Sequence, residues 1–311
     1  MRAAIIGVGD IARKAYLPVL CADPRLTPVL VTRSASVRDD VARAYRIEQA
    51  FASVTEAIRA GLDVAFVHAA TVAHAEILAE LIAAGVHVYV DKPIDDSAAG
   101  AARLAEAARS AGVSLAVGFN RRFAPEYAAL AAWADRDTIV LGKHRYAAPS
   151  PRVSEVAAGR TDDDRSLVFD DFIHVLDSLR FLGAEGADGV DVSARREDGQ
   201  LRRIEVVLRD GQRRATGLMD RDSGATVEEL DVFAPGRRAR VRDLAEVTEY
   251  AGGSVTVRRR QEWVSVGEQR GFAGAVGAFV DAVAAGRVLD AADAVRTHEL
   301  CEEVVGQLSR I

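Results

Sequence analysis

Cysteine is almost absent from these 311 residues: Cys21 and Cys301 are the whole complement, one near each end. No disulfide framework is indicated, and a reducing compartment fits, so a cytoplasmic location is expected. Long uncharged apolar runs are missing too, since His74, Glu76 and Glu80 interrupt the best candidate. A soluble chain with no membrane partner is expected. The opening residues already read as a strand, which leaves no room for a signal peptide. Base is not in excess either: the formal net charge is −6. Arginine is plentiful but mixed with acids, as in Arg195-Arg196-Glu197-Asp198, and the one compact run, Arg258-Arg259-Arg260, reads as a solvated strand end. A nucleic-acid partner, which needs clustered Lys and Arg to release counterions, is not expected. There is no internal repeat and no low-complexity segment.

What is present is an ordinary globular balance, 49% apolar and 28% charged, in a chain long enough for two domains with separate cores. Up to about residue 120, strand signals (3–6, 29–32, 63–69, 86–90, 113–119 and a weaker 50–51) alternate with helical ones (11–22, 37–45, 54–60, 73–84, 98–111). Such alternation predicts a parallel sheet with right-handed crossovers. Pro18 conflicts with this pattern, because an interior proline should kink the first helix. Beyond residue 120 the texture changes. A helix at 125–134 precedes a strand at 138–146, and a long connection over 147–165 reads as a lid or a disordered stretch. A helix at 167–182 follows, then several strands between 190 and 257 separated by Asp198-Gly199, Asp210-Gly211, Pro235-Gly236 and Gly252-Gly253. Strands joined in this way predict an antiparallel sheet. Two helices, at 271–285 and 291–309, close the chain, and the last is expected to return to the first domain.

Chemistry-bearing residues concentrate in a few places. Gly7-Val8-Gly9-Asp10-Ile11-Ala12 follows the first strand and opens the first helix, the pattern of a dinucleotide-binding turn. Gly7 permits the tight exit, Gly9 lets the backbone approach a pyrophosphate, and Ala12 keeps helix and strand close. The second strand ends Val31-Thr32-Arg33-Ser34, with Arg38 a turn later and no carboxylate for a ribose 2′-hydroxyl. This favours NADP over NAD, because a guanidinium fork suits the 2′-phosphate. Lys92 ends the strand 86–90 beside that nucleotide, held in extended geometry by Pro93. There an ammonium could polarise a substrate oxygen while hydride moves. Asp170 and His174, four apart, share a helix face with Asp177 a turn on; a carboxylate beside an imidazole is what a general acid/base requires. A metal held by 162–164 with His174 is disfavoured, since aspartate runs in loops are mostly solvated, and no metal is expected. His74 could touch the nicotinamide ribose or merely cap its helix.

These motifs together resemble the glucose–fructose oxidoreductase / inositol dehydrogenase / MocA family, and especially its MviM-like branch. The resemblance runs over essentially the whole chain, from the glycine turn with Tyr16-Leu17-Pro18 through Val67-His68, Asp91-Lys92-Pro93, Gly118-Phe119-Asn120-Arg121-Arg122-Phe123, Lys143-His144-Arg145 and Asp170–Asp177 to Glu268-Gln269-Arg270-Gly271-Phe272. It implies that Lys92 is the catalytic lysine of the family's Glu-Lys-Pro motif, with Asp91 in the glutamate's place. It also implies that His174 is the acid/base with Asp170 as its partner. Phe172 stands where the family usually has glycine, which leads to the expectation that its ring reshapes the pocket. The fold implied is α/β: a Rossmann domain over 1–120, then an α+β substrate and oligomerisation domain over 121–311 with a large, mostly antiparallel open sheet. A homodimer or homotetramer is implied with it.

The function expected is an NAD(P)-dependent oxidoreductase acting on a carbinol or carbonyl carbon of a small sugar, cyclitol or related polar metabolite. Cofactor contacts are assigned to Gly7, Gly9, Asp10, Ile11, Arg33, Ser34, Arg38, Thr71, His74, Asp91, Lys92 and Asn120, and substrate contacts to Arg121, Arg145 and Tyr146. Lys92 and His174 are expected to converge on one substrate oxygen. The alternatives are a glycosidase that uses nicotinamide transiently, with no net redox change, and an NADP-binding regulatory protein without turnover. Retention of Lys92 with the Asp170/His174 pair argues against the latter.

Overall fold

Six short strands, β1 (Arg2–Ile6), β2 (Thr27–Val31), β3 (Gln49–Phe51), β4 (Val64–Val67), β5 (His87–Val90) and β6 (Leu115–Val117), pair in parallel in the order β3-β2-β1-β4-β5-β6 in a computed structural model of the chain. The structure describes residues 1–146, 163–187 and 189–311. Both faces of this sheet are covered, so β4 is a run of four buried apolar residues with no alternation, as a central parallel strand requires. Serines cap three of the crossover helices, Ala35–Tyr45, Val54–Arg59 and Ala98–Ala111. Ser97, for example, accepts from the Gly100 amide at the head of Ala98–Ala111, which satisfies one of the orphan donors of a helix start. Gly112 ends that helix at φ +69°, with its N–H on the Ala108 and Arg109 carbonyls, a left-handed stop that favours glycine.

Pro18 is accommodated differently from the single kinked helix expected over 11–22. The segment divides into a π-helical turn, Ala12–Tyr16, and a short helix, Leu17–Leu20. The Leu17 N–H reaches back five residues to the Ala12 carbonyl. The widened turn lies just ahead of the proline, where the ladder must adapt to the ring and the missing donor.

The chain folds as two compact units, Met1–Phe119 with Phe272–Arg296, and Asn120–Gly271 with Thr297–Ile311. Helix Phe272–Ala284 lays Phe272, Ala275, Val276, Phe279 and Val280 into the first unit's core beside Tyr16, Phe66 and Tyr89. The segment that rejoins the first unit is thus mainly the penultimate helix. The last helix, Ala292–Leu308, belongs to the second unit from Thr297 onward.

The second unit is built on eight strands: β7 (Thr138–His144), β8 (Gly189–Glu197), β9 (Gln200–Asp210), β10 (Arg213–Asp220), β11 (Val227–Ala234), β12 (Arg237–Arg242), β13 (Glu246–Ala251) and β14 (Ser254–Arg259). Their order is β14-β13-β12-β11-β7-β10-β9-β8, and only the β7–β10 pair is parallel. In β11 buried and half-buried residues alternate strictly, the pattern of a strand with one face on a core. The segment expected as one helix over 167–182 is Asp164–Leu167, a π-helical turn Val168–Phe172, helix Ile173–Leu179 and a second π-helical turn Arg180–Ala184. Ile173–Leu179 packs on β7 and β10, and it does so closely: a Cβ on Gly217 of β10 would stand 2.6 Å from Val175 Cγ1 and 2.9 Å from Leu179 Cδ1. The lid or disordered stretch read into the sequence lies mostly outside the described residues. At its end, Asp163 caps the helix by accepting from the Ser166 amide, and Asp164 pairs with Arg196.

Candidate active site

In an open parallel sheet the ligand crevice forms at the strands' carboxyl ends, where the strand order reverses. Here that point lies between β1 and β4. Gly7 leaves β1 at φ +83°, and a Cβ there would lie 2.7–2.8 Å from backbone atoms of His68 and Ala69 at the end of β4. Its hydrogen is therefore a steric requirement of the fold itself. Gly9 differs: a Cβ there would meet nothing within 4 Å. Ala12, the third small residue, is fully buried. Asp10 and Ile11 are exposed, and Asp10 pairs with Lys14 at 2.8 Å. Beside Gly7, His68 stacks on Tyr16 at 4.1 Å with both ring nitrogens buried and without a hydrogen-bond partner among the described residues. Burial, with His74 nearby, pushes its pKa down to about 3, so the ring is neutral. Open backbone at Gly9 and unsatisfied polar atoms at His68 both suit a dinucleotide laid across this edge.

At the far end of the nucleotide groove, Ser34 caps helix Ala35–Tyr45, and its hydroxyl lies 3.2 Å from that of Ser36. Arg33 is exposed, and Arg38 donates to the Thr32 carbonyl at 2.9 Å. The end of β2 thus brings a helix start, two hydroxyls and two guanidinium groups together, with Thr32-Arg33-Ser34 and no carboxylate in that run.

The Lys92 neighbourhood is a buried polar knot. Tyr16 and Tyr89 hydroxyls lie 3.3 Å apart, Tyr16 donates to Asp91 Oδ1 at 3.4 Å, and the Lys92 amide donates to the same oxygen at 3.0 Å. Burial raises the Asp91 carboxyl above its ordinary value, opposed by Lys92 and its amide, and burial likewise raises Tyr16. Gly118 closes the knot, for a Cβ there would stand 2.7 Å from the Tyr16 hydroxyl. Lys92 itself is half-buried, and its bond to Pro93 is cis. His74 neither caps its helix nor presents a free ring. Its Nδ1 is 2.8 Å from the Pro93 carbonyl and its Nε2 3.0 Å from that of Ala69, so it braces the two strand ends on either side. Thr71 opens a short turn, Thr71–Ala73, ahead of it.

In the second unit one largely buried segment carries three half-buried polar residues. From Val168 to Arg180 every residue is buried except Asp170, Asp171 and His174, which are half-buried. The Val168–Phe172 π turn, a feature frequent at functional sites, sets this face. Phe172 is 0% exposed, so its ring joins the core and does not reshape a pocket as its place in the motif suggested. Asp177 turns away as well: it holds Arg122 and accepts from Thr297 at 3.1 Å, its carboxyl pushed up by burial against the pull of Arg122. Asn120 and Arg121 are likewise engaged within the unit. Asn120 Nδ2 donates to the Arg270 carbonyl at 2.7 Å, and Arg121 makes a buried bidentate pair with Glu228 at 2.6 and 2.8 Å. Tyr127 completes the pair by donating to Glu228 at 3.0 Å. Arg145 reaches Asp171 with Nε at 3.2 Å and Nη2 at 2.8 Å, and Tyr146 is exposed.

Sequence reasoning passed over Lys143. It is buried, with Nζ donating to the Asp171 carboxylate and, at 3.1 Å, to the Asp171 carbonyl. Burial pushes its pKa down to about 7; Asp171 opposes the shift, while Arg121 and Arg145 add to it. Asp171 is held well below the usual carboxylate range, because Lys143 and Arg145 outweigh the cost of its burial. The available signal was the two-residue period: positions 143 and 145 at the end of a strand share a face.

Comparison with known proteins gives this geometry a family. Residues 1–119 match the Gfo/Idh/MocA model, described as an oxidoreductase family with an NAD-binding Rossmann fold. The YceM protein of Salmonella typhimurium, named as an oxidoreductase, is 31% identical over 288 residues, covering 91% of this chain and 89% of the relative. The chain belongs to the Gfo/Idh/MocA oxidoreductase family. The crystal structure of the MviM dehydrogenase from Clostridium difficile superposes with a TM-score of 0.89 at 29% identity, covering 99% of each chain, which places this member in the MviM-like branch. Inositol 2-dehydrogenase of Pseudomonas fluorescens is 31% identical over 231 residues, 69% of this chain and 65% of the relative.

Proposed function

We propose that this member of the family transfers hydride between the nicotinamide C4 of NADP(H) and a carbinol or carbonyl carbon of a small polyhydroxylated metabolite. The observation that carries the reading is the 3-2-1-4-5-6 sheet whose β1 exits through Gly7 at the switch point, with Lys92 ending β5 two strands away. The preference for NADP is supported by Arg33, Ser34 and Arg38 at the end of β2, and the polyhydroxylated substrate by the inositol 2-dehydrogenase relative. NADP, when bound, supplies or accepts the hydride. The residues do the rest. Gly9 and the start of the first helix receive the pyrophosphate. Lys92 polarises the substrate oxygen. His174 exchanges the proton of that oxygen, and Asp170 supports its charged form. Arg145 and Tyr146 contact substrate, whereas Arg121, Asn120 and His74 act as supports, consistent with the partners described above. Calorimetric titration of the protein with NADP⁺ and NAD⁺, followed by a screen of polyols and sugars at the absorbance of reduced nicotinamide, tests the reading. Tighter binding of NAD⁺ would overturn the cofactor assignment, and absence of any dinucleotide binding would overturn the function.

A further inference from the structure

The leading charges around Lys143 do not balance. Among the described residues, Arg121, Lys143 and Arg145 pair with two carboxylates, Glu228 and Asp171. Arg121 and Glu228 satisfy each other through two parallel hydrogen bonds. Among the described residues, that leaves Asp171 as the carboxylate shared by Lys143 and Arg145. Hydrogen bonds show the same excess. Asp171 Oδ1 accepts from Lys143 and from Arg145 Nη2, and Oδ2 from Arg145 Nε. One Lys143 proton and both protons on Arg145 Nη1 have no acceptor among the described residues. The Lys143 amine is buried, whereas the Arg145 side chain is 40% exposed, so the cluster opens to solvent on the arginine side. Asp171 lies three residues before His174 and next to Asp170, within the half-buried face described above.

We propose that Lys143 and Arg145 form a subsite for an anionic group of the substrate, a carboxylate or a phosphate, so that the enzyme acts on an acidic polyhydroxy compound and not on a neutral sugar. A guanidinium with two free donors and an ammonium with one make a planar-plus-point arrangement that an anion's oxygens match. The added negative charge would bring the cluster to neutrality in a site of low dielectric, where an unbalanced charge is costly. Asp171 then acts as a positioning residue that fixes both cations without neutralising both. The anion also changes the proton balance. Burial lowers the pKa of Lys143 to about 7, with Arg121 and Arg145 adding to the shift and Asp171 and Glu228 opposing it, so an arriving anion favours uptake of a proton by its amine. Affinity for the anion should therefore weaken as pH rises above about 7.

This inference rests on the oxidoreductase reading, and the two fail separately. The full chain is first saturated with NADP⁺, and the absence of dinucleotide binding counts against that reading alone. Acetate, glucuronate and inorganic phosphate are then titrated calorimetrically at pH 6.5 and 8.5, with glucose as the neutral control. Expected are millimolar or tighter binding of at least one anion, roughly tenfold or more weaker binding at the higher pH, and proton uptake at pH 8.5. The carboxylate and phosphate arms identify which group the subsite takes. Arg145→Gln should weaken anion binding tenfold or more while leaving NADP⁺ binding unchanged, and Lys143→Gln should abolish the proton uptake. Should Lys143→Gln fail to fold, Arg145→Gln and the pH dependence still decide. No anion binding in the millimolar range, equal binding by Arg145→Gln, or glucose bound as well as glucuronate would each overturn the proposal.

Discussion

Replacing the two glycines of the β1 exit one at a time should separate a structural requirement from a functional one. At Gly7 the backbone is at φ +83°, where an L side chain costs roughly 1–2 kcal/mol. The new Cβ would also stand 2.7 Å from the Ala69 amide nitrogen and 2.8 Å from the His68 carbonyl atoms. These are backbone atoms of a central strand end and cannot rotate away, so overpacking of about 1–3 kcal/mol is added. Gly7→Ala should therefore lose about 2–5 kcal/mol, which at roughly 2–4 °C per kcal/mol is a fall in Tm of about 4–20 °C. At Gly9 the Cβ meets nothing, so Gly9→Ala should stay within about 0.5 kcal/mol of the parent. Its effect should appear instead in calorimetric titration with NADP⁺, as a tenfold or greater loss of affinity, about 1.4 kcal/mol. A Gly7→Ala protein melting with the parent, or a Gly9→Ala protein that melts early and binds NADP⁺ normally, would refute this division of labour.

Arg33→Asp should reverse or erase the preference for NADP⁺ over NAD⁺ in the same titration, because it exchanges a phosphate donor for a hydroxyl acceptor; an unchanged ratio counts against the Arg33 assignment. Lys92→Ala and His174→Ala should each lower turnover by roughly 10²-fold or more, with Asp170→Asn between them and the parent and cofactor affinity little altered. Near-normal turnover in either alanine variant would contradict the roles given above. Arg121→Met should cost about 3–5 kcal/mol in urea unfolding by stranding Glu228, and the double replacement Arg121→Met/Glu228→Leu should cost less; a double variant weaker than the single would show that the pair is not acting as a unit. Lys143 is held near 7 in the fold against ~10.4 in an unfolded chain. Between those values the unfolded chain binds the extra proton, so this residue makes stability rise with pH over that window. Lys143→Met should flatten that part of the stability–pH curve, and a curve that overlays the parent's would contradict the assignment.

The first unit was legible because its signals are local. A strand, a glycine turn and a helix start occupy consecutive residues, and Lys92 follows its strand directly, so position along the chain translates into position at the sheet edge. What could not be read depended on separation or direction. Arg121 and Glu228 are 107 residues apart, and nothing in either neighbourhood announces the other; read locally, Arg121 looks available to a ligand. Phe172 was legible as a departure from a motif but not as a core residue, since a π turn alters which way successive side chains point. Lys143 was legible only as part of a basic triplet, because its burial depends on Asp171 reaching it from another element. Pro18 gave a true warning of irregularity, and the structure supplied its form.

Gly217 extends the reach of the second unit's sheet into its chemistry without touching it. Because that residue has no side chain, Val175 and Leu179 rest almost on the β10 backbone, and His174 lies one residue from the first of these contacts. The sheet thus serves as a datum plane for the residue proposed as acid/base, and a position with no functional group sets how far the imidazole stands above it. Across relatives with different substrates, a methyl or hydroxymethyl at this point would act as a shim, raising one end of the helix while leaving every polar residue on it unchanged.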